Sequence, residues 1–267
     1  MQRKRPKLGQ HFLSSISHQR EIIAALPIGS EDLVIEVGPG KGAVTGLLAE
    51  RARQVVAVEV DPVLAQRLER LLSDCKNLQI RRQDILETDI AEICQGHGAE
   101  KCFLFGNLPY HITSPFMRHA FGFVERLRGM GLLLQWEVAE RITSAPGPKA
   151  YGFLSVLSQY YSRPRILRHV PPGAFTPPPK VQSALVGFDF PGKRSELEVP
   201  GDEAFLRFVL AGFQEKRKTL ANNLIKRYPG RDFPALLSAS GLDRRVRAEQ
   251  MSLEQFAALY RRLSLDS

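Results

Sequence analysis

Between residues 33 and 136 the chain alternates short, nearly continuous apolar runs with stretches of helical periodicity. Leu33-Val34-Ile35-Glu36-Val37 runs into glycines, and Thr45 to Arg53 follows as a helix. Val55-Val56-Ala57-Val58-Glu59 is a second strand, and Val63 to Leu72 repeats apolar residues three and four apart. Leu78-Gln79-Ile80 leads to Asp84 as a third strand, Phe103-Leu104-Phe105 is a fourth and Gly131 to Leu134 a fifth. Strands apolar at successive positions are buried on both faces, and helices between them imply parallel pairing. The expected fold class is therefore α/β, a mostly parallel sheet covered on both sides. Two more strands are expected at Arg165–Val170 and Ser183–Phe188.

The pattern breaks at Pro191-Gly192-Lys193-Arg194. Beyond it, Phe205, Leu206, Val209, Leu210 and Phe213, then Leu220 and Leu224, then Leu253, Phe256, Leu259 and Leu263 recur at helical spacing. Two domains are expected, 1–192 for the sheet with its N-terminal arm and 193–267 for a small all-helical domain. No run approaches the roughly 18–20 apolar residues of a membrane span. Cys75, Cys94 and Cys102 have neither metal-ligand spacing nor an even count, so no metal site and a reducing, cytoplasmic setting are expected. The 37 Lys and Arg outnumber the 28 Asp and Glu, a net charge of +9 that favours a polyanionic partner. Arg3, Lys4 and Arg5 form a basic arm with no apolar core behind it, unlike a signal peptide. Together with Lys216, Arg217 and Lys218 they are candidate phosphate contacts; a solvated surface explains them equally well.

Chemistry concentrates at the strand ends. Glu36-Val37-Gly38-Pro39-Gly40-Lys41-Gly42 joins the first strand to the first helix, where glycines let backbone approach a ligand. Its G-x-G-x-G spacing is not the G-x-G-x-x-G of a dinucleotide site. Glu59 ends the second strand, about 20 residues on, where a carboxylate can accept from both ribose hydroxyls. Asp84, in Gln83-Asp84-Ile85-Leu86, ends the third, where it can accept from an adenine amine or simply cap a turn. Asn107-Leu108-Pro109-Tyr110 ends the fourth. The amine on a purine ring is a poor nucleophile, because its lone pair is delocalised into the ring. The Asn107 side-chain oxygen and the Leu108 carbonyl can accept both N–H hydrogens and favour a pyramidal nitrogen. Pro109 stiffens the backbone and biases Leu108 toward extension, and Tyr110 offers a stacking face. Asn and Pro are also ordinary turn residues. The ordered series of glycine loop, Glu59, Asp84 and Asn107 fits S-adenosylmethionine better than a dinucleotide.

With these residues in view, the chain resembles the ribosomal RNA adenine N6,N6-dimethyltransferases of the KsgA type. The resemblance runs from about Leu8 to the C-terminus. Its markers are Gly9-Gln10-His11-Phe12-Leu13, Glu36 to Gly42, Asn107 to Tyr110, Glu137 to Arg141, Phe175-Thr176-Pro177-Pro178-Pro179-Lys180-Val181-Gln182-Ser183 and Lys216 to Leu220. It implies a Rossmann-like class I S-adenosylmethionine-dependent methyltransferase sheet and dimethylation of two adjacent adenosines in the 3′-terminal hairpin of 16S rRNA. The expected partner is the small ribosomal subunit, met by a monomer without membrane contact. On this reading Gln10, His11 and Leu13 line the methionine end of the cofactor. Gly38 and Gly40 approach it by backbone, Glu59 holds the ribose, and Asp84 with Ile85 holds the adenine. Asn107 lies between cofactor and target amine, and Tyr110 and Phe175 sandwich the flipped base. Trp136 and Phe153 stand where relatives often carry Lys and Arg, Val44 replaces a common Leu, and His11 replaces a common Asn.

Three rivals remain. Large-subunit adenine methyltransferases of the macrolide-resistance type share the fold but usually carry Ile at the position of Leu108. A DNA adenine methyltransferase usually begins its tetrad with Asp. A non-catalytic assembly factor would have no use for an intact tetrad.

Overall fold

The computed structural model describes residues 11–109 and 112–265. The N-terminal arm, with Arg3, Lys4, Arg5 and Gln10, and the pair Tyr110 and His111 lie outside the described residues.

In chain order the first unit holds β1 (Phe12–Leu13), α1 (Ile16–Ala25), β2 (Leu33–Val37), α2 (Thr45–Arg51), β3 (Gln54–Glu59), α3 (Pro62–Leu71), β4 (Leu78–Arg82), α4 (Ile90–Gly96), β5 (Cys102–Asn107), α5 (Thr113–Gly122) and β6 (Leu127–Gln135). The chain continues through α6 (Trp136–Thr143), α7 (Phe153–Tyr161), β7 (Arg163–Val170), β8 (Phe175–Thr176) and β9 (Ser183–Asp189). The main sheet has seven strands in the order β4-β3-β2-β5-β6-β9-β7. The five strands from β4 to β6 are parallel, and β9 joins β6 antiparallel. Every residue of β2 is buried, as is β3 from Val55 onward, which is why these strands read as unbroken apolar runs. The order reverses between β2 and β5, so a crevice opens beyond their carboxyl ends. A second sheet of two strands pairs Phe12 with Thr176 and Leu13 with Phe175.

The helical unit contains α8 (Arg194–Leu197), α9 (Asp202–Gly212), α10 (Leu220–Arg227), α11 (Phe233–Ala239) and α12 (Leu253–Leu265). It does not begin near residue 192 alone. The chain divides into Met1–Ala139 with Arg165–Phe190, and Glu140–Pro164 with Pro191–Ser267. The mid-chain segment belongs with the C-terminal helices because it supplies their core: Tyr151, Val156 and Tyr160 are buried among Phe205, Phe208, Leu253 and Phe256. The Tyr151 hydroxyl donates to the Met251 carbonyl at 2.9 Å and that of Tyr160 to Asp202 at 2.6 Å, so both rings keep their polar ends satisfied. Among the described residues no helix is long and apolar enough to cross a membrane.

Candidate active site

A cavity of about 280 Å³ opens at the carboxyl edge of the parallel strands. It collects residues from the carboxyl ends of β2, β3, β4 and β5, from β6 and from β1, which is how positions as far apart in sequence as 11 and 133 come to line one cavity.

The glycine loop forms its floor. Gly38, Gly40 and Gly42 take φ of 63°, 58° and 80°, the left-handed region that side chains resist. The Gly38 N–H donates to Val58 O at 3.0 Å, tying the loop to the end of β3. Glu59 is 4% exposed, and its two oxygens accept from the N–H groups of Gly40 at 3.0 Å and Asp61 at 2.9 Å. A carboxylate has about four acceptor positions, so the two left over can take hydroxyl donors from a ligand. The Gln83 N–H donates to the Glu59 carbonyl at 3.1 Å, which brings Asp84 alongside. Asp84 does cap the turn Ile85–Glu87, accepting from Leu86 N at 2.9 Å, and it also lines the cavity. The two readings of this residue are compatible, because its other oxygen has no donor among the described residues. Ile85 is buried beside it and gives that end of the cavity an apolar wall.

The tetrad is placed by Leu108, which is 3% exposed. Val37 of β2 stands opposite Gly106 of β5. A side chain on Gly106 would come within 3.2 Å of Leu108 Cγ, and one on Gly38 within 3.8 Å of its Cδ2. Leu108 thus folds back over the two glycines and packs its own segment against the glycine loop, leaving Asn107 at the cavity wall. Among the described residues the Asn107 carboxamide has no hydrogen-bond partner. Pro109 lines the same wall, and its carbonyl accepts from Ile112 N at 3.0 Å.

His11 and Leu13 also line the cavity. The Nδ1 of His11 lies 2.7 Å from the Pro177 carbonyl; that oxygen only accepts, so Nδ1 carries the hydrogen. Phe175 is buried, 4% exposed, in the cluster that also holds Leu13, and it does not line the cavity. Stacking on a base would require its ring to turn out of that cluster.

Phe12, Lys41 and Glu36 are among the cavity residues that the reading of the sequence did not assign as site residues. Phe12 packs its ring where a Gly40 side chain would stand, 3.1 Å from that position, and the Lys41 ammonium sits 4.5 Å above the same ring. Glu36 is 2% exposed, and among the described residues its Oε2 has no hydrogen-bond partner. Burial pushes its carboxyl up to about 7, and the nearby charge of Glu59 adds to this. The Thr45 hydroxyl is close enough to offset part of that rise, although among the described residues its oxygen makes no hydrogen bond. An acid inside an otherwise apolar strand is the signal that could have pointed to Glu36. The cavity fits S-adenosylmethionine on the donor set alone: an acceptor pair for a ribose, an acceptor and apolar wall for adenine, and an orphaned buried carboxyl suited to an ammonium.

The cationic candidates of the helical unit sit on the loop between α9 and α10. Lys216 and Arg217 are exposed, while Lys218 pairs with Glu215 at 3.0 Å. Glu215, half-exposed and held below the usual carboxylate range by Lys226 and then Lys218, takes up part of the positive charge. Buried Asn223 pins the loop, donating to Gly212 O at 2.8 Å and Glu215 O at 3.2 Å and accepting from Glu215 N at 3.2 Å. The Leu220 N–H donates to Val246 O at 2.8 Å, so exposed Arg245 and Arg247 flank the loop. Their separation in sequence hid them.

A family model described as ribosomal RNA adenine dimethylase matches residues 1–265. Ribosomal RNA small subunit methyltransferase A of Acidobacterium capsulatum is 38% identical over 260 residues, covering 97% of this chain and 91% of that one. The protein of that name from Koribacter versatilis is 39% identical over 270 residues, covering 97% and 94%. A dimethyladenosine transferase from Plasmodium falciparum superposes with a TM-score of 0.81 at 22% identity over 96% of this chain and 98% of that one, a likeness of fold. The 23S rRNA methyltransferase ErmE gives 0.69 at 25% identity over 95% and 99%. The chain belongs to the ribosomal RNA adenine dimethylase family.

Proposed function

We propose that this protein is an S-adenosylmethionine-dependent rRNA adenine N6,N6-dimethyltransferase that modifies two adjacent adenosines in the 3′-terminal hairpin of 16S rRNA. The observation that carries the reading is the placement of Asn107, Glu59 and Asp84 around one cavity, with Leu108 clamped against the cofactor loop. Relatives at 38–39% identity named for the small subunit support the choice of particle.

When bound, S-adenosylmethionine supplies an electrophilic methyl group on a sulfonium. Glu59 would hold its ribose, Asp84 and Ile85 its adenine, and Glu36 with His11, Leu13 and Gln10 its methionine end. Asn107 and the Leu108 carbonyl accept the two N–H hydrogens of the target amine and aim its lone pair. Catalysis by these groups is positioning, which is worth up to about 7–11 kcal/mol when the reacting geometry is preset. Tyr110 stacks on the flipped adenine, and Phe175 joins it from the other face only after its ring turns out of the cluster that holds Leu13. The N-terminal unit is the catalytic domain; the helical unit, through Lys216, Arg217 and Lys218, together with Arg3, Lys4 and Arg5, grips phosphates. The protein works as a monomer on the ribosome in the cytoplasm.

The test is methyl transfer from labelled S-adenosylmethionine to unmethylated small subunits, large subunits and free rRNA in parallel. Dimethyladenosine mapped to the 3′-terminal hairpin of the small subunit is the expected result. Label confined to large-subunit RNA would move the protein to the resistance enzymes, and particle binding without label would leave an assembly factor.

A further inference from the structure

Trp136 is the single tryptophan of the chain. It follows Gln135, the last residue of β6, at the same edge of the sheet as the tetrad. Leu133 lines the cavity and is the register partner of Asn107, while Gln135 is the partner of Ser183. Trp136 therefore stands three positions past the level of Asn107, about 10 Å at the rise of a strand.

Three strands meet to hold it. The Trp136 N–H donates to the Gln182 carbonyl at 2.9 Å, just before β9. The Gln182 side-chain oxygen accepts from Nε2 of His169, near the end of β7, at 2.6 Å. The imidazole meets the indole edge to face, with centroids 5.3 Å apart and planes at 67°. His169, Lys180 and Gln182 are exposed, and Trp136 is partly so. The indole N–H has no acceptor among the described residues. A large ring kept partly at solvent against an imidazole, with its donor free, suits an unpaired nucleobase, since every base offers a π-face.

We propose that Trp136, steadied by His169, is a stacking surface for an unpaired nucleobase neighbouring the adenosine whose amine is held at Asn107. The proposal rests on the rRNA-methylation reading and adds a substrate-positioning residue to it. One stacked base is worth on the order of a tenfold change in affinity. Trp136→Ala is expected to raise KM for unmethylated small subunits about tenfold, with kcat and S-adenosylmethionine affinity unchanged. Trp136→Phe, which keeps a ring, should restore KM to within about twofold of the parent. A benzophenone amino acid placed at position 136 should crosslink to an unpaired nucleotide close in sequence to the dimethylated adenosine. Unchanged KM in Trp136→Ala, equal damage from both substitutions, or crosslinks only to protein or paired RNA each overturn the proposal. Absence of dimethyladenosine from the parent enzyme's product would instead remove the reading on which it rests.

Discussion

Glu36 shows what one side chain contributes. It is buried in the central strand, with its carboxyl pushed up to about 7 and one oxygen unpartnered. In the unfolded chain the group titrates near its ordinary value of 4.5. Between these values the folded protein holds a proton that the unfolded chain releases, so stability falls as pH rises. The contribution is fully present below about pH 4.5 and is lost as pH passes 7. A shift of this size corresponds to about 3 kcal/mol at most. Urea unfolding of the cofactor-free protein from pH 5 to 8 should show this decline, and Glu36→Gln should flatten it; parallel slopes in the two proteins would contradict the assignment. The strand ends Glu59 and Asn107 were legible as chemistry because polar residues interrupt apolar runs there. Phe175 was not legible in the same way: its burial against Leu13 depends on pairing across 162 residues, which no local pattern records.

At the scale of elements, the loop before α10 carries the clearest prediction. Its Lys216 and Arg217 are exposed and its shape is kept by the three hydrogen bonds of Asn223. Replacing both cations by Ala should make binding to small subunits less salt-dependent, lowering the log–log slope by about 2. Affinity measured between about 50 and 200 mM salt reads this directly, and an unchanged slope would leave the two cations as mere solvated surface. Asn223→Leu strips partners from buried backbone groups and should cost about 1–3 kcal/mol. Thermal unfolding should register that loss, whereas an unchanged melting temperature would mean that the loop holds itself. The long parallel strands were readable from their unbroken apolar runs. The β1–β8 pair was not, because two-residue strands have no period.

For the whole molecule, the sequence break at Pro191 marks where the sheet ends but not where the helical unit begins. Residues 140–164 pack with the C-terminal helices, and only the three-dimensional core containing Tyr151, Val156 and Tyr160 reveals it. The net charge of +9 belongs to this scale too, as a reason to expect a polyanion, whereas the chemistry rests on a few strand ends. The central claim is that Asn107 presents the target amine and does little for the cofactor. Single-turnover methyl transfer to small subunits, measured beside equilibrium S-adenosylmethionine binding for the parent and Asn107→Ala, tests it. The account predicts transfer slower by about 100-fold or more, with cofactor affinity changed by less than about threefold. Equal losses in both quantities, or transfer undiminished, would contradict it.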